Sequence, residues 1–384
     1  MIFAGYRRRN GTVGVRNHVL VLPSVMCANH VVDRIGRQVP EVITIAHPTG
    51  CSQVGADFEQ TKRTLAGFAS NPNVAAVLVV GLGCETNESK ALAAEIAARG
   101  QRVEVIGIQE SDGTTNTIAR GVEIARQLLR EAAPLGRSQA DLSELIVGTE
   151  CGGSDGFSGI TANPALGFAA DRIVEAGGTV ILAELPELVG AEHLLAKRAA
   201  PEIAAKLYEL IDRVEARARA MHVDMRYGNP SQGNIAGGLT TIEEKSLGAA
   251  YKGGSTELRE VLEYAERPQQ KGLVVMDTPG QDIEQLTGMT AGGAQVTVFT
   301  TGRGTPTGSP IAPVIKVATN TAMYERMREN MDINAGTIID GTKTLDEVGS
   351  EIFDWILAAA NGRQPVAEAF EFRDFAINRI GPSF

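Results

Sequence analysis

The sequence is poor in cysteine, in aromatic residues and in positive charge. Its 384 residues include four cysteines and one tryptophan, aromatic residues make up 5%, and the net charge is −10. No apolar run approaches the ~20 residues that cross a bilayer, and the N-terminus lacks the apolar segment of a signal peptide. The one basic run, RRR at 7–9, is short, so no nucleic-acid partner is expected. We therefore expect a cytoplasmic protein with no membrane partner and no structural disulfides.

Glycine, by contrast, is abundant: 43 residues cluster in short segments between apolar runs. Runs such as HVLVL at 18–22 and VAAVLVV at 74–80 are typical of strands buried on both faces of a parallel sheet. They alternate with helical patterns, which predicts an α/β fold of two lobes. We predict a Rossmann-like domain over residues 1–137 and a second α/β domain over 144–384, joined by a polar linker within 134–143. In the second domain we also predict a single long charged helix over 192–221.

Three of the four cysteines share a local pattern. Cys51, Cys84 and Cys151 each follow a predicted strand by a few residues and precede a predicted helix. In an open parallel sheet such strand ends line one crevice, and a helix N-terminus favours the thiolate that binds metal. We predict that these three cysteines bind a shared metal ion. Because thiolates are soft ligands, iron or zinc is expected. The alternative is that the cysteines are buried small hydrophobic residues. For Cys27, in an apolar helical context, we expect the buried role.

Acid–base groups lie beside these cysteines. His47 comes four residues before the first of them, Glu85 and Glu150 adjoin the other two, and Asp155 lies in the glycine-rich loop that follows. Each of the four side chains is a candidate general base or ligand-orienting group, and each is equally suited to capping a helix or a turn. We predict His47, Glu85 and Asp155 as the catalytic candidates.

Hydroxyl, amide and cationic groups suited to an acidic substrate occur near other strand ends. Ser154 lies in the glycine-rich loop, Arg303 in the segment FTTGRGTPTG at 299–308, and Lys316 and Asn320 near the end of the next predicted strand. Arg303 is suited to bidentate binding of a carboxylate or sulfonate. We predict all four as substrate-binding residues. Neither this segment nor GLGCETN at 81–87 matches a P-loop or a complete dinucleotide fingerprint.

Several longer motifs extend along almost the whole chain. They are GYRR at 5–8, GVRN at 14–17, HPTGC at 47–51, GLGCE at 81–85, ECGGSD at 150–155, GGLTTIEEKS at 237–246, FTTGRG at 299–304 and MDINAG at 331–336. In these motifs the sequence resembles the altronate/galactarate dehydratase family, which also includes the large subunit of sulfolactate sulfo-lyase. Their number and length make the resemblance specific.

The resemblance implies an iron-dependent elimination from a hydroxy acid, with iron as Fe²⁺ or as an iron–sulfur cluster. A base would remove the proton α to the carboxylate, and the metal would polarise the departing β-group. We therefore expect a carbon–oxygen lyase that removes water from a sugar acid such as altronate or galactarate, giving a 2-keto-3-deoxy acid. The alternative within the family is elimination of sulfite from sulfolactate, leaving pyruvate.

The resemblance also bears on partners. Single-chain relatives carry a small domain before the GYRR segment, so we expect a separate small SAF-type subunit here, and an oligomer. Outside the lyase class, one alternative is a non-catalytic binding subunit whose partner carries the activity. Another, which we rank last, is a hydrolase.

Overall fold

The computed structural model describes all 384 residues, which form fourteen strands and thirteen α-helices. The strands are β1 (Ile2–Arg7), β2 (Val13–Gly14), β3 (His18–Pro23), β4 (Ile43–Thr44), β5 (Val74–Gly81), β6 (Arg102–Gly107), β7 (Ser138–Asp141), β8 (Ile146–Cys151), β9 (Thr179–Leu182), β10 (Leu258–Leu262), β11 (Gly272–Met276), β12 (Val296–Thr301), β13 (Val314–Ala318) and β14 (Ile333–Asn334). The helices are α1 (Asn29–Gln38), α2 (Gly55–Ala69), α3 (Ser89–Ala98), α4 (Thr114–Ala132), α5 (Ala162–Glu175), α6 (Glu192–Ala196), α7 (Pro201–Ala220), α8 (Gln232–Ala236), α9 (Ile242–Ala250), α10 (Asp282–Ala291), α11 (Thr321–Arg326), α12 (Leu345–Ala360) and α13 (Val366–Ala369). None of these helices has both the length and the apolar character needed to cross a membrane.

The N-terminal part contains a four-stranded parallel sheet in the order β4-β3-β5-β6. Its central strands are buried on both faces, as their unbroken apolar runs predict. Apolar residues of α1 and α4 cover one face, and those of α2 and α3 cover the other. From β3 the chain first moves outward to β4 and then crosses to β5 on the other side. The sheet therefore has its topological switch point between β3 and β5.

The C-terminal part contains a seven-stranded parallel sheet in the order β10-β11-β9-β8-β12-β13-β14. The chain adds strands on one side of β8 as far as β10 and β11, then returns to place β12 on the other side. Helices α5 and α12 cover one face, and α10 packs on the opposite face through Leu286 and Met289. The α/β prediction is confirmed, and the switch point of this sheet lies between β8 and β12.

The predicted linker is partly regular structure. Residues 138–141 form β7, which pairs antiparallel with β1 in a three-stranded sheet completed by β2. The first strand of the chain is thus held beside the segment that leads into the second sheet. The division into 1–137 and 144–384 remains a proposal, with this small sheet connecting its two sides.

The single helix predicted over 192–221 is wrong. The chain forms α6 and α7 separately, with a break at residues 197–200. Pro201 is the first residue of α7, and the preceding Ala200 is extended, with φ −61° and ψ 150°. A proline at that position cannot donate the hydrogen bond that continues a helix, and its ring disfavours a helical residue before it.

The two parallel sheets present their carboxyl edges on the same side of the molecule. Helices α2 and α10 pack together, and at their last turns Gly67 lies against the backbone of Ala291. Nearer their first turns, Gln60 and Glu284 are joined by a short chain of hydrogen bonds through the C-terminal segment. The helices therefore run in the same direction. Since each begins after the carboxyl end of a strand, both sets of strand ends lie at their starting ends.

Candidate functional site

The carboxyl edge of the seven-stranded sheet forms a backbone-lined junction at its switch point. The loop after β8 begins with Gly152 and Gly153, and the loop after β12 contains Gly302 and Arg303. The Gly153 carbonyl accepts hydrogen bonds from the N–H groups of Gly302, at 3.1 Å, and Arg303, at 2.9 Å. The Gly152 N–H donates to the Thr300 carbonyl at 3.2 Å. The two loops are thus fixed where open α/β sheets bind their ligands.

A set of buried and partly buried acids and lysines lies at this edge, and we refer to it as the acid–lysine cluster. Of its acids one lies near the end of β8 and the others follow β9 and β11, and its lysines come from α9, the turn after it, and β13. Its members are Glu150, Glu184, Glu187, Asp282, Lys245, Lys252 and Lys316. Charged groups are seldom buried unless they are paired, so this cluster makes the edge a candidate functional site.

One pair in the cluster is completely buried. The ammonium of Lys252 contacts the carboxylate of Glu184, and both side chains are fully inaccessible to solvent. Glu184 Oε1 also accepts the backbone N–H of Cys151 at 3.3 Å. Glu184 itself has a φ of 72°, in the left-handed region that non-glycine residues rarely occupy. Such a conformation persists only where the surroundings enforce it, which is common at functional sites.

A second pair sits beside the thiol of Cys151. Lys245 Nζ lies 2.5 Å from Glu187 Oε1 and donates to Asn229 Oδ1 at 2.9 Å. The Cys151 thiol donates to the other oxygen of Glu187 at 3.6 Å. Burial raises the pKa of Cys151 to about 11, so at neutral pH this sulfur keeps its proton.

Cys151, Glu184 and Glu187 are the one group of possible metal ligands whose donor atoms lie within 4.8 Å of one another. The spacing of these three donor atoms would suit a single metal ion, but their charges are already compensated. Each carboxylate already has an ammonium partner, Lys252 for Glu184 and Lys245 for Glu187, and the thiol is protonated. A cation bound here would have to replace a lysine as the counter-charge.

Two further carboxyl groups in the cluster lack such partners. Both oxygens of Glu150 are buried without a hydrogen bond. Complete burial, together with the charge of Asp282, raises the pKa of Glu150 well above its ordinary value. Burial also raises the pKa of Asp282, against the opposing effect of Lys316. A Cβ on Gly152 would approach Asp282 Oδ2 to 2.5 Å, so glycine is required for this carboxyl to lie on the loop. These two groups are available as proton donors.

Lys316 is the most perturbed cation of the cluster. It is fully buried on β13, and its Nζ donates to the Thr305 carbonyl at 3.2 Å. Burial lowers the pKa of Lys316 to about 7, although the charges of Asp282 and Glu150 favour the ammonium form. A lysine that loses its proton near neutral pH is suited to act as a general base. Sequence analysis predicted it only as a substrate-binding residue.

A cleft of about 520 Å³ opens beside the cluster. Cys151, Glu187, Lys245 and Asp282 line its inner wall, and residues 218–234, with the turn before α8, form the outer wall. This volume lies in the range of pockets for small molecules. Because its inner wall is charged, the cleft is suited to a polar ligand.

The predicted residues of the glycine-rich loop and β13 form a tight polar junction. Asp155 accepts hydrogen bonds from Thr319 Oγ1 at 2.9 Å and Asn320 Nδ2 at 3.0 Å, and also from the backbone of its own turn. Ser154 Oγ lies 3.7 Å from the sulfur of Cys151. The exposed guanidinium of Arg303, by contrast, makes no hydrogen bond or ion pair within the chain. Arg303 is therefore free for a ligand, whereas Asp155 and Asn320 are occupied in joining two loops.

His47 and Glu85 lie at the edge of the four-stranded sheet instead. The Nε2 of His47 is 2.8 Å from the Pro23 carbonyl, and its Nδ1 is 2.8 Å from Thr49 Oγ1. Burial lowers the pKa of His47 to about 4. Glu85 accepts hydrogen bonds from Ser24 and from backbone N–H groups, which lower its pKa although burial opposes them. In these surroundings both side chains hold loops together, and the structure does not bring them to the cleft.

The predicted metal ligands are divided between the two sheets. Cys51 and Cys84 are exposed in loops of the first sheet, whereas Cys151 is buried as the last residue of β8. Their three sulfurs are not all within 4.8 Å of one another, so they cannot ligate one ion in this arrangement. The expectation for Cys27 was wrong, because this cysteine is exposed in a short turn after β3.

Sequence reasoning missed several members of the acid–lysine cluster. Glu184 follows the end of β9 as the cysteines follow other strands, so the same rule applied to every strand would have found it. Glu187 lies in the turn beyond β9 and Asp282 is the first residue of α10, beyond β11, so both carry a weaker signal of the same kind. Lys252 gave no local signal, because it lies in a turn after α9 and meets Glu184 only through the fold.

Comparisons with known proteins agree with this architecture. The family model described as "D-galactarate/Altronate dehydratase, C-terminal" matches residues 142–383, and "D-galactarate dehydratase/Altronate hydrolase, second domain" matches residues 5–133. The chain is 38% identical to the altronate dehydratase of Bacillus subtilis strain 168, over 99% of this chain and 78% of that protein. It is 39% identical to the altronate dehydratase of Escherichia coli K12, over 98% and 77% respectively. It is also 39% identical to (2R)-sulfolactate sulfo-lyase subunit beta of Chromohalobacter salexigens, over 98% and 97%.

Proposed function

The chain belongs to the D-galactarate/altronate dehydratase family, and from this premise we propose that it is a hydro-lyase that removes water from a sugar acid such as altronate or galactarate. The observation that supports this reaction best is the acid–lysine cluster. It combines a lysine whose pKa is lowered to about 7 with carboxyl groups whose pKa values are raised. Groups shifted in opposite directions at one site are suited to an acid–base pair.

In the proposed reaction Arg303 and Lys316 handle the end of the substrate that loses a proton. Arg303 has an unpaired guanidinium beside the switch-point loops and would bind the substrate carboxylate. The positive charge of Arg303 on the carboxylate makes the α-proton of the substrate more acidic. Neutral Lys316 would accept that proton. The loop 302–305 covers the amine, so productive binding requires this loop to shift.

Asp282 is proposed as the proton donor to the leaving group. It lines the cleft, and its raised pKa favours a protonated carboxyl group. The α-carbon–hydrogen bond breaks toward Lys316, a carbon–carbon double bond forms, and the β-carbon–oxygen bond breaks. The departing hydroxyl takes the proton of Asp282 and leaves as water. The enol that remains then tautomerises to a 2-keto-3-deoxy acid.

Dependence on iron is retained as part of the proposal. Bound iron would act as a Lewis acid toward an oxygen of the substrate. Because Cys151, Glu184 and Glu187 are compensated by protein groups, we assign no step to a metal at that position. The exposed thiols of the first sheet offer a different donor set.

Elimination of sulfite from sulfolactate is the second candidate. Identity to the sulfo-lyase subunit equals that to one altronate dehydratase, at 39%, so identity does not select the substrate. Arg303 is suited to a sulfonate as well as to a carboxylate. The relative's name as a subunit supports, in addition, the proposal that a small second subunit completes this enzyme.

A substrate panel tests the proposal. The chain, alone and with a candidate small subunit, is incubated anaerobically with Fe²⁺ and altronate, galactarate or (2R)-sulfolactate, and 2-keto acid and sulfite are measured. Formation of a 2-keto-3-deoxy acid without sulfite supports the hydro-lyase, and sulfite with pyruvate supports the second candidate. If none of these acids is consumed under any of these conditions, the proposed function is wrong.

A further inference from the structure

Three exposed thiols lie at one edge of the four-stranded sheet. Cys27 follows β3, Cys51 follows β4 and Cys84 follows β5, and these strands are neighbours in the order β4-β3-β5. Free cysteine is ordinarily among the most buried residues. Here the three exposed cysteines all belong to adjacent strand ends, while the fourth, Cys151, is buried in the other sheet.

Hydrogen bonds connect the three loops that carry these thiols. The Met26 N–H donates to the Thr49 carbonyl at 2.9 Å, which joins the Cys27 loop to the Cys51 loop. The Ser52 N–H donates to Thr86 Oγ1 at 3.0 Å, which joins the Cys51 loop to the Cys84 loop. The three cysteines therefore lie on a single bonded surface and not on three independent loops.

Two glycines allow this close approach. Gly50, next to Cys51, has a φ of 101°, and a Cβ there would overlap the Ser24 carbonyl oxygen. Gly83, next to Cys84, has a φ of 126°, and its Cβ would lie 2.5 Å from Gln109 Oε1. Both conformations are easily adopted only by glycine. The backbone beside two of the thiols is thus free of side-chain bulk.

The electrostatic setting favours negative charge at this edge. Helices α1, α2 and α3 begin two, four and five residues after Cys27, Cys51 and Cys84 respectively. The partial positive charge of a helix N-terminus favours thiolates and anionic groups. Three such ends therefore converge on the strand ends that carry the cysteines.

We propose that Cys27, Cys51 and Cys84 bind an iron–sulfur cluster through three thiolates. Thiolates are the ligands that hold iron–sulfur clusters. The three sulfurs are not all within 4.8 Å of one another, so they do not surround a single ion. Each thiol gives up its proton on binding. With three protein ligands, a four-iron cluster retains one iron for an outside oxygen. This set of ligands does not include Cys151. It therefore differs from the set predicted from the sequence, in which Cys151 took the place of Cys27.

The cysteine edge of the four-stranded sheet lies on the same side of the molecule as the cleft. A role for the cluster in the reaction rests on the proposed function. Both sheets present their carboxyl edges on the same side of the molecule, as α2 and α10 require. The C-terminal segment connects the two regions. Asp374 accepts the Gly308 N–H at 3.0 Å, beyond β12, and the Phe384 N–H donates to the Ser52 carbonyl at 2.8 Å. A cluster at the cysteine edge would thus lie on the side of the molecule where the cleft opens.

The decisive measurement is the iron and acid-labile sulfide content of the full chain, reconstituted anaerobically with Fe²⁺ and sulfide, together with its visible absorption. Wild type is expected to bind iron and sulfide in about equal amounts. Cys27→Ser, Cys51→Ser and Cys84→Ser are each expected to bind the cluster more than about 100-fold more weakly, and so to lose nearly all of both. Changes outside the ligand shell cost only about 10–100-fold. Cys151→Ser is the matched control and is expected to keep them.

Retention of the cluster in Cys27→Ser, or its loss in Cys151→Ser with the fold intact, would overturn the proposal. So would iron bound without sulfide. Alkylation mapping gives a second reading that needs no variants: the three thiols should react in the metal-free chain and be protected after reconstitution. Unchanged reactivity would also overturn the proposal.

The substrate panel separates this inference from the proposed function. If the chain binds the cluster and consumes none of the acids, the proposed cluster site stands and the proposed hydro-lyase activity is wrong. If the three serine variants lack the cluster and keep full activity, the hydro-lyase activity stands and the cluster has no role in the reaction.

Discussion

Lys316 and Phe299 face each other on neighbouring strands, with Nζ 4.2 Å from the centroid of the ring. An aromatic face favours the ammonium form of a lysine. Burial opposes it and lowers the pKa of Lys316 to about 7. The side chain is therefore held in one orientation, in surroundings where it can exchange its proton near neutral pH.

The first prediction concerns this amine as the general base. Lys316→Met is expected to lower kcat by about 10²–10⁴-fold, the range attributed to general acid–base groups. In wild type, kcat/KM should rise with pH through about 7, because the base acts only after losing its proton. The measurement is the pH profile of wild type and variant. The exposed Lys271→Met serves as the control, and a wild-type profile flat from pH 6 to 8 would contradict the assignment.

The second prediction concerns the proton donor. Asp282→Asn keeps the shape of the side chain and cannot donate an acidic proton, so kcat is expected to fall by about 10²-fold or more while the thermal transition is little changed. Asp346→Asn, on the first turn of α12, is the matched surface control. Equal activity of the two variants would remove Asp282 from the mechanism.

The third prediction concerns substrate binding. The guanidinium of Arg303 is exposed and has no partner in the chain, so Arg303→Gln should not destabilise the protein. We expect KM to rise by about tenfold or more because the carboxylate contact is lost, and kcat to fall as well because that contact also acidifies the α-proton. Arg303→Lys is expected to recover only part of the loss, because an ammonium cannot bind a carboxylate bidentately.

The fourth prediction concerns the fully buried pair of Lys252 and Glu184. Lys252→Met leaves a buried carboxylate without its partner and is expected to cost about 3–5 kcal/mol of unfolding free energy. Adding Glu184→Gln, which keeps an acceptor for the Cys151 N–H, should recover much of that loss. Denaturant unfolding of the singles and the double measures the coupling. The exposed pair of Lys343 and Glu351 is the control and should contribute about 0–1 kcal/mol.

The fifth prediction is a pH dependence of stability that arises from His47. Its pKa is lowered to about 4 in the folded chain, below the ordinary 6.5, so the unfolded state binds a proton first as the pH falls. The stability from this ring is fully present above pH 6.5 and is lost as the pH drops toward 4. His47→Gln should reduce that slope and cost about 1–3 kcal/mol at pH 7 through its lost hydrogen bonds. His18, whose pKa burial lowers to about 3, should account for a remaining slope.

Much of the fold was predictable because the signals are local. An unbroken apolar run such as 74–80 indicates a strand covered on both faces, whatever its neighbours are. The strands that escaped prediction are short or polar, and β7, with the sequence SQAD, is recognised only by its pairing with β1. The helix break before Pro201 was available from the sequence, since proline has a fixed local effect.

The candidate site was predictable only in part. The rule that ligand-binding residues follow strand ends led to Arg303, Lys316 and the cysteines. The structure places Lys316 near acidic residues that no sequence spacing connects with it. The partners of these residues come from distant parts of the chain. The pairing of Lys252 with Glu184 depends on how the turn after α9 packs on β9, so no local pattern could predict it.

The sequence by itself determined the α/β class, the family and the kinds of side chain at the strand ends, because backbone periodicity and turn chemistry act over a few residues. Only the tertiary structure decided which strand ends adjoin one another. The order β4-β3-β5 places Cys27 with Cys51 and Cys84, and the order β9-β8-β12 places Cys151 among the acids and lysines. Strand order follows from crossovers and from packing of helices on both faces of each sheet, and these are properties of the whole chain.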